Sequence, residues 1–260
     1  MNDAIATLVR THDPDRFLTA LFAPPRHRDA LLTLYAFDHE LARARAVTSD
    51  PHLALIRLHW WREVVEGASR RHEVATPLSE LLRAGRLTQD ALLLIIDAYE
   101  TETEPVIETL ADWHRWLLDG AGGIAVLAAT LLGSPAPETF RSLGAAHGAA
   151  RTIRWNRSLA VRGRCLFPAD LLADAGVSVD EAIAAPGSPA VQIVTRRLAV
   201  EGLRLLVDGT RTSIPLPFIA AALPAVLARR DLRRGSAVQP GPRGLGDRLA
   251  VTWAGLTGWL

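Results

Sequence analysis

Three groups of residues have the types and spacing for chemistry. The first is acidic. Asp170-Leu-Leu-Ala-Asp174 has the DxxxD spacing, and Asp97, Glu100 and Glu104 fall near one face of a helix, so either set resembles half of a site for Mg²⁺ and diphosphate. Bland readings compete: an acid at a helix start is favoured by capping and by the dipole, which accounts for Asp170. A solvated helix end before Pro105 accounts for the other cluster. The second group is basic, with Arg151, Arg154 and Arg157 at i, i+3 and i+6 followed by Arg162 and Arg164. Such a patch either faces an anion or pairs with acids across a bundle. The third is Tyr35-Ala-Phe-Asp-His-Glu-Leu-Ala-Arg-Ala-Arg-Ala-Val47, which opens acidic and closes on two arginines. Pairing of Asp38 and Glu40 with Arg43 or Arg62 is the reading preferred for it.

Other chemistries lack their signatures. There is no Gly-rich phosphate loop after a strand, no GxSxG elbow and no HExxH pair, and the eight histidines are scattered. The single cysteine, Cys165, excludes an intramolecular disulfide and a cysteine-rich zinc site, and it suits a reducing, cytoplasmic setting. The first residues carry early acids and no long apolar run, unlike a secretory signal. All 29 basic residues are arginine, and the net charge of +1 gives no pull toward nucleic acid.

These residues need elements to position them, and the pattern is helical throughout, with no sustained alternation. Asp13-Pro14-Asp15 starts a helix that Pro24-Pro25 stops. A longer helix runs from Arg28, and Ser49-Asp50-Pro51 starts another that carries Trp60 and Trp61 and ends near Gly67. Further helices are expected at about 76–84, 88–104, 106–132, 136–158, 188–209, 214–230 and 245–258, with a brief one from Asp170 to Ala175 closed by Gly176. Gly163 to Pro168 should be short and extended, and 233–246 an irregular connection. The apolar stretches 122–132 and 214–228 fall short of the roughly 20 residues a membrane span needs, so they read as buried helices, with peripheral membrane contact left open. A chain of 260 residues, 49% hydrophobic, can bury one sizeable core, and no internal boundary is visible, so residues 1–260 are read as a single all-α domain.

The order of Tyr35-Ala-Phe37, Arg57-Leu-His-Trp-Trp-Arg62 and Gly163-Arg-Cys-Leu-Phe-Pro168 resembles the squalene/phytoene synthase family, with its YAF segment, R-x-x-W-W-R helix and G-R-x-Y-L-P turn. The landmarks cover about residues 13 to 180. The resemblance implies an isoprenoid-synthase-type helical bundle with a central cavity for prenyl chains, in which two aspartate-rich segments hold Mg²⁺ against a departing diphosphate. The first segment should lie at about 42 to 46, where this chain has Ala42-Arg-Ala-Arg-Ala46. The second should fall in Arg151-Thr-Ile-Arg-Trp-Asn-Arg157, where Arg154 matches the family arginine but Trp155 stands in place of the aspartate. Arginines in place of acids reverse the local charge.

A narrower likeness, through Ala36-Phe-Asp-His-Glu-Leu-Ala42 and Ile56 to Arg62, is to a subfamily that also lacks the aspartate segments and includes a mitochondrial assembly factor for respiratory complex I. The expectation is a scaffold or assembly protein that has lost the ionisation chemistry, needs no metal or cofactor and binds a protein partner. Its candidate ligand residues are Arg57, Arg154 and Arg164 for an anionic head, with Tyr35 and Trp61 lining an apolar cavity for a prenyl lipid or diphosphate. The alternative is an active prenyltransferase whose Mg²⁺ is held by Asp97, Glu100 and Glu104 or by Asp170 and Asp174. For Trp60 and Trp61, roughly 100° apart on a helix, core packing is preferred to ligand stacking.

Overall fold

The computed structural model describes residues 3–48, 50–209, 214–235 and 241–260, and every regular element among them is helical. The chain opens with α1 (Asp3–His12), α2 (Pro14–Ala20), α3 (Pro25–Ala46) and α4 (Pro51–Val65). The composition of the first residues did not mark α1, which buries Ile5, Ala6 and Val9. Each of α2 to α4 begins with a proline in its first turn, where the missing N–H is no loss. Asp13 Oδ1 accepts the Arg16 N–H at 3.0 Å and Asp50 Oδ1 the His52 N–H at 2.9 Å, so both expected caps form. Ser49 lies outside the described residues. Gly67 follows α4 with φ of 109°, a conformation that glycine adopts without strain.

Next come α5 (Ala75–Arg83), α6 (Gln89–Thr101), α7 (Leu110–Asp119) and α8 (Ala121–Leu131). The single helix expected over 106–132 is therefore two, breaking at Gly120 with ψ of −88°. A Cβ on Gly120 would stand 3.1 Å from the Trp116 carbonyl oxygen and 3.3 Å from Ala98 Cβ, so the break also brings α6 close. A 3₁₀ turn, Pro137–Phe140, leads into α9 (Arg141–Ala160); α10 (Ala169–Asp174), α11 (Val179–Ala184) and α12 (Pro189–Gly209) follow. Gly163 to Pro168 pairs in no sheet; it is an irregular turn with Gly163 at φ of 69°. The helix expected at 214–230 is a 3₁₀ turn, Leu216–Phe218, then α13 (Ile219–Ala222) and α14 (Pro224–Arg234), because prolines 215, 217 and 224 interrupt the ladder. The last helix is α15 (Leu245–Thr257).

Helix α9 is the axis of the bundle, packing against α7, α8, α12 and α14. Small residues make this possible. A Cβ on Gly144 would lie 2.4 Å from the Ala121 carbonyl oxygen, and one on Gly148 would lie 2.8 Å from Leu117 Cδ2, so the α8 backbone and an α7 side chain press directly on the α9 backbone. Trp113, Tyr35, Phe37 and Phe167 are the bulkiest fully buried side chains. Most of 122–132 and residues 219–228 are core, whereas 215–217 are exposed, and no helix among the described residues is long and apolar enough to cross a membrane.

Candidate functional site

A cavity of about 350 Å³ lies between α3, α6, α7, α8, α9 and the turn after α9. Its wall is largely apolar, with Ala42 and Ala46 from α3, Ala98 from α6, Leu117 from α7 and Leu166 from the turn. Helix α9 supplies Arg151, Trp155 and Ser158, and Arg162 follows from the turn just past its end. That spacing, i, i+4, i+7 and i+11, is one face of a helix.

Two ion-pair clusters are built into the wall. In the first, the buried Asp38 carboxylate accepts from Arg16 Nη1 and, at 2.8 Å, from the Tyr99 hydroxyl, while Arg151 Nη1 stands 3.7 Å away. Burial by itself would raise the Asp38 carboxyl, but Arg16 and Arg151 hold it below its ordinary value, so it is an anion. Arg16, also buried, lies with its guanidinium carbon 5.1 Å from the centre of the Tyr35 ring. In the second cluster Arg164 Nη2 donates at 3.1 Å to the Glu102 carboxylate and at 3.1 Å to the Glu102 carbonyl oxygen. Burial pushes the Glu102 carboxyl up despite that arginine.

The lining thus holds four guanidiniums, of Arg16, Arg151, Arg162 and Arg164, against two carboxylates, an excess of two positive charges when all are ionised. Arg16 and Arg164 are fully engaged. Arg151 is 40% exposed and beyond hydrogen-bond distance of Asp38, and no carboxylate among the described residues pairs with the exposed Arg162. Arg151 and Arg162 are therefore the lining cations that make no hydrogen bond to a carboxylate among the described residues, and the ones placed to meet a ligand.

The expected ligand residues scatter. Arg164 lines the cavity, but its charge is already met by Glu102. Arg154 points the other way, buried against Asp231 at 3.4 Å and donating to the Gly241 carbonyl at 2.6 Å. Arg57 is exposed on α4, outside the lining. Trp61 packs in the core against Phe37 and Trp60, with ring centres 5.4 and 4.9 Å away, which is the packing preferred for it. Tyr35 is buried beneath Arg16 and does not reach the cavity. The arginines 151, 154 and 157 form no common patch, because a step of three residues walks them off one face by roughly 60° each time.

One charge expectation is also corrected. Arg43 and Arg45 do not occupy the cavity side of α3: Arg43 donates to Glu40 at 2.7 Å and Arg45 to the Thr48 carbonyl at 3.1 Å. From α3 the cavity is faced by Asp38, which Arg16 holds, and by Ala42 and Ala46, so the places expected for the metal-binding acids hold methyl groups. Glu40 pairs with Arg43 as expected, whereas Asp38 pairs with neither Arg43 nor Arg62.

Mg²⁺ takes hard oxygen ligands in octahedral array, and the residues here do not fit that demand. The lining carboxylates, Asp38 and Glu102, are each held by arginine, and among the described residues no group of three His, Cys, Asp or Glu side chains is disposed to hold a metal. The alternative ligands are elsewhere and occupied. Asp97 and Glu100 share Arg62 at 2.6 and 2.9 Å. Asp170 caps the Leu110 N–H of α7 at 3.0 Å, and Asp174 pairs with Arg197 at 3.1 Å. Glu104 is exposed and outside the lining.

A family model described as squalene/phytoene synthase matches residues 9–240. The chain belongs to the squalene/phytoene synthase family. In overall shape this family member superimposes on a dehydrosqualene synthase solved with a ligand, with a TM-score of 0.82 at 14% identity, covering 98% of this chain and 95% of that one. It also superimposes on squalene synthase HpnC from Alicyclobacillus acidocaldarius, with a TM-score of 0.67 at 17% identity over 99% and 94% of the two chains. Identities this low speak for the fold alone. Among curated relatives, NADH dehydrogenase (ubiquinone) complex I, assembly factor 6, is 25% identical in Bos taurus and 24% in Homo sapiens, over 182 residues in each case. The match takes in 67% of this chain but 55% of either relative, so the chain spans about half their length.

Arg16, Tyr99 and Glu102 were invisible in the sequence as site residues. Arg16 and Asp38 are 22 positions apart and Tyr99 and Asp38 are 61 apart, with no local pattern linking them. For Arg162 a signal existed: its spacing of eleven from Arg151 continues the register of one helix face, and it is reached in the turn two residues past the end of α9.

Proposed function

We propose that this chain uses the synthase fold without ionising prenyl diphosphates, and that it serves as an assembly or scaffold factor for respiratory complex I while keeping its cavity for an anionic amphiphile. The observation that carries the reading is the pair Ala42 and Ala46 on the cavity face of α3. Leaving-group ionisation needs charge compensation beside the departing diphosphate. Methyl groups supply none, and the two carboxylates that line the cavity are bound to Arg16 and Arg164. The curated relatives named as complex I assembly factors support the assembly role.

In this reading the residues hold and orient rather than react. Arg151 and Arg162 meet the anionic head, for which guanidinium forks suit phosphate oxygens. Trp155, Leu117, Leu166 and the alanines receive the apolar tail. Asp38 and Tyr99 fix Arg16, which keeps the wall positive without itself being free.

Incubating the purified protein with Mg²⁺ and farnesyl or geranylgeranyl diphosphate tests the first half. No diphosphate release is expected, and release abolished by mutating Asp97, Glu100 and Glu104 or Asp170 and Asp174 would reinstate a prenyltransferase. Deleting the coding sequence tests the second half, with reduced assembled complex I the expected result and an unchanged level the result that sinks it.

A further inference from the structure

Helix α15 carries its large apolar side chains on the outside and its small ones inside. Leu245, Leu249, Trp253 and Leu256 are between 60% and 76% exposed. At roughly 100° per residue they fall within one sector about 80° wide. The opposite sector, with Asp247, Val251 and Ala254, is the one buried against the bundle. The exposed ridge continues through Trp259, 79% exposed, and Leu216, half-exposed on the 3₁₀ turn beside Gly258. A helix that served only the core would show the reverse pattern. A contiguous ridge of this size marks a contact surface.

The charge around the ridge has one sign. From Pro224 to Thr257 the chain has six arginines and two acids, Asp231 and Asp247. Both acids are buried and committed: Asp247 accepts from Arg230 and Arg234, and Asp231 from Arg243. Arg233 of α14 and Arg248 of α15 are exposed, and no carboxylate among the described residues pairs with either. Within α14 and α15 the exposed charges left unanswered are therefore cations.

We propose that this face docks the protein onto an anionic lipid surface, with α15 lying in the plane of the interface. Leucines and tryptophans flanked by arginines are the composition of helices that rest at that depth, the tryptophan rings sitting at headgroup level. A second copy of the chain is a poorer occupant, because a twofold contact through this face would bring two faces of the same positive sign together. The inference goes beyond the assembly role and does not rest on it.

Flotation of the purified full chain with phosphatidylcholine vesicles, with and without phosphatidylglycerol, is the test. Binding is expected to the anionic vesicles and to be weak on the neutral ones. Leu249→Ser with Trp253→Ser should abolish it while leaving the thermal midpoint unchanged, since both side chains are exposed. Arg233→Gln and Arg248→Gln should each weaken it roughly fivefold, the share of one arginine near an anionic surface. Equal binding of the serine variant and the wild type, no binding by the wild type, or a dimer in solution that the serine substitutions split would each overturn the proposal.

Discussion

At the scale of single residues, Asp38 is the carboxylate on which the cavity wall depends. It is buried beneath Arg16 and Tyr99 and faces Arg151, so its removal strands a buried guanidinium. Asp38→Asn is expected to lower unfolding free energy by about 3 kcal/mol, because breaking a buried pair leaves an uncompensated charge. Arg43→Ala, which removes the half-exposed partner of the buried Glu40 carboxylate, should cost about 1–3 kcal/mol in a urea titration, less than Asp38→Asn. Acid sensitivity follows from the same logic. Burial would raise Asp247, but Arg234 and Arg230 bring its carboxyl down to about 2, and Asp38 is held low by Arg16 and Arg151. Folded values below the unfolded value of roughly 4 mean that this stabilisation is complete above that pH and is lost as pH falls toward about 2. Unfolding titrations should show stability dropping across that window, and Asp247→Asn should flatten the drop.

At the scale of elements, the wall of the cavity is set by the close approach of α8 to the backbone of α9. A methyl group on Gly144 would overlap the Ala121 carbonyl and Ala125 Cβ, at 2.4 and 2.5 Å. Gly144→Ala should therefore destabilise by about 2 kcal/mol through overpacking, despite alanine's better helix propensity. A rise in thermal midpoint on that substitution would show that α8 yields more readily than its packing implies. The break at Gly120 is the other element-level device, since one continuous helix through 132 would carry α7 away from α9 and open the wall at Leu117.

For the whole molecule, the balance of charge in the cavity sets what should bind. A ligand that binds only the folded state raises the unfolding midpoint, and one that does not bind leaves it where it was. Millimolar Mg²⁺ alone is expected to leave the thermal midpoint unchanged, because the lining carboxylates are held by arginine. Farnesyl phosphate is expected to raise it, and Arg151→Ala with Arg162→Ala to remove most of that rise. A Mg²⁺-dependent increase in the wild type would contradict the reading of the donor set.

Helical periodicity and proline starts were enough, from sequence, for an all-α chain, and the ordered landmarks Tyr35 to Phe37, Arg57 to Arg62 and Gly163 to Pro168 were enough for its family. These are local signals, carried by spacing along one helix or turn. What only the tertiary structure decided is which side of each helix meets the cavity. Ala42 and Ala46, rather than Arg43 and Arg45, face it; Arg151 and Arg162 reach it while Arg154 turns to Asp231; and Arg16, Tyr99 and Glu102 join from distant segments. A helix presents several faces at once, and the choice among them is made by the neighbours that pack on the others, which no single helix encodes.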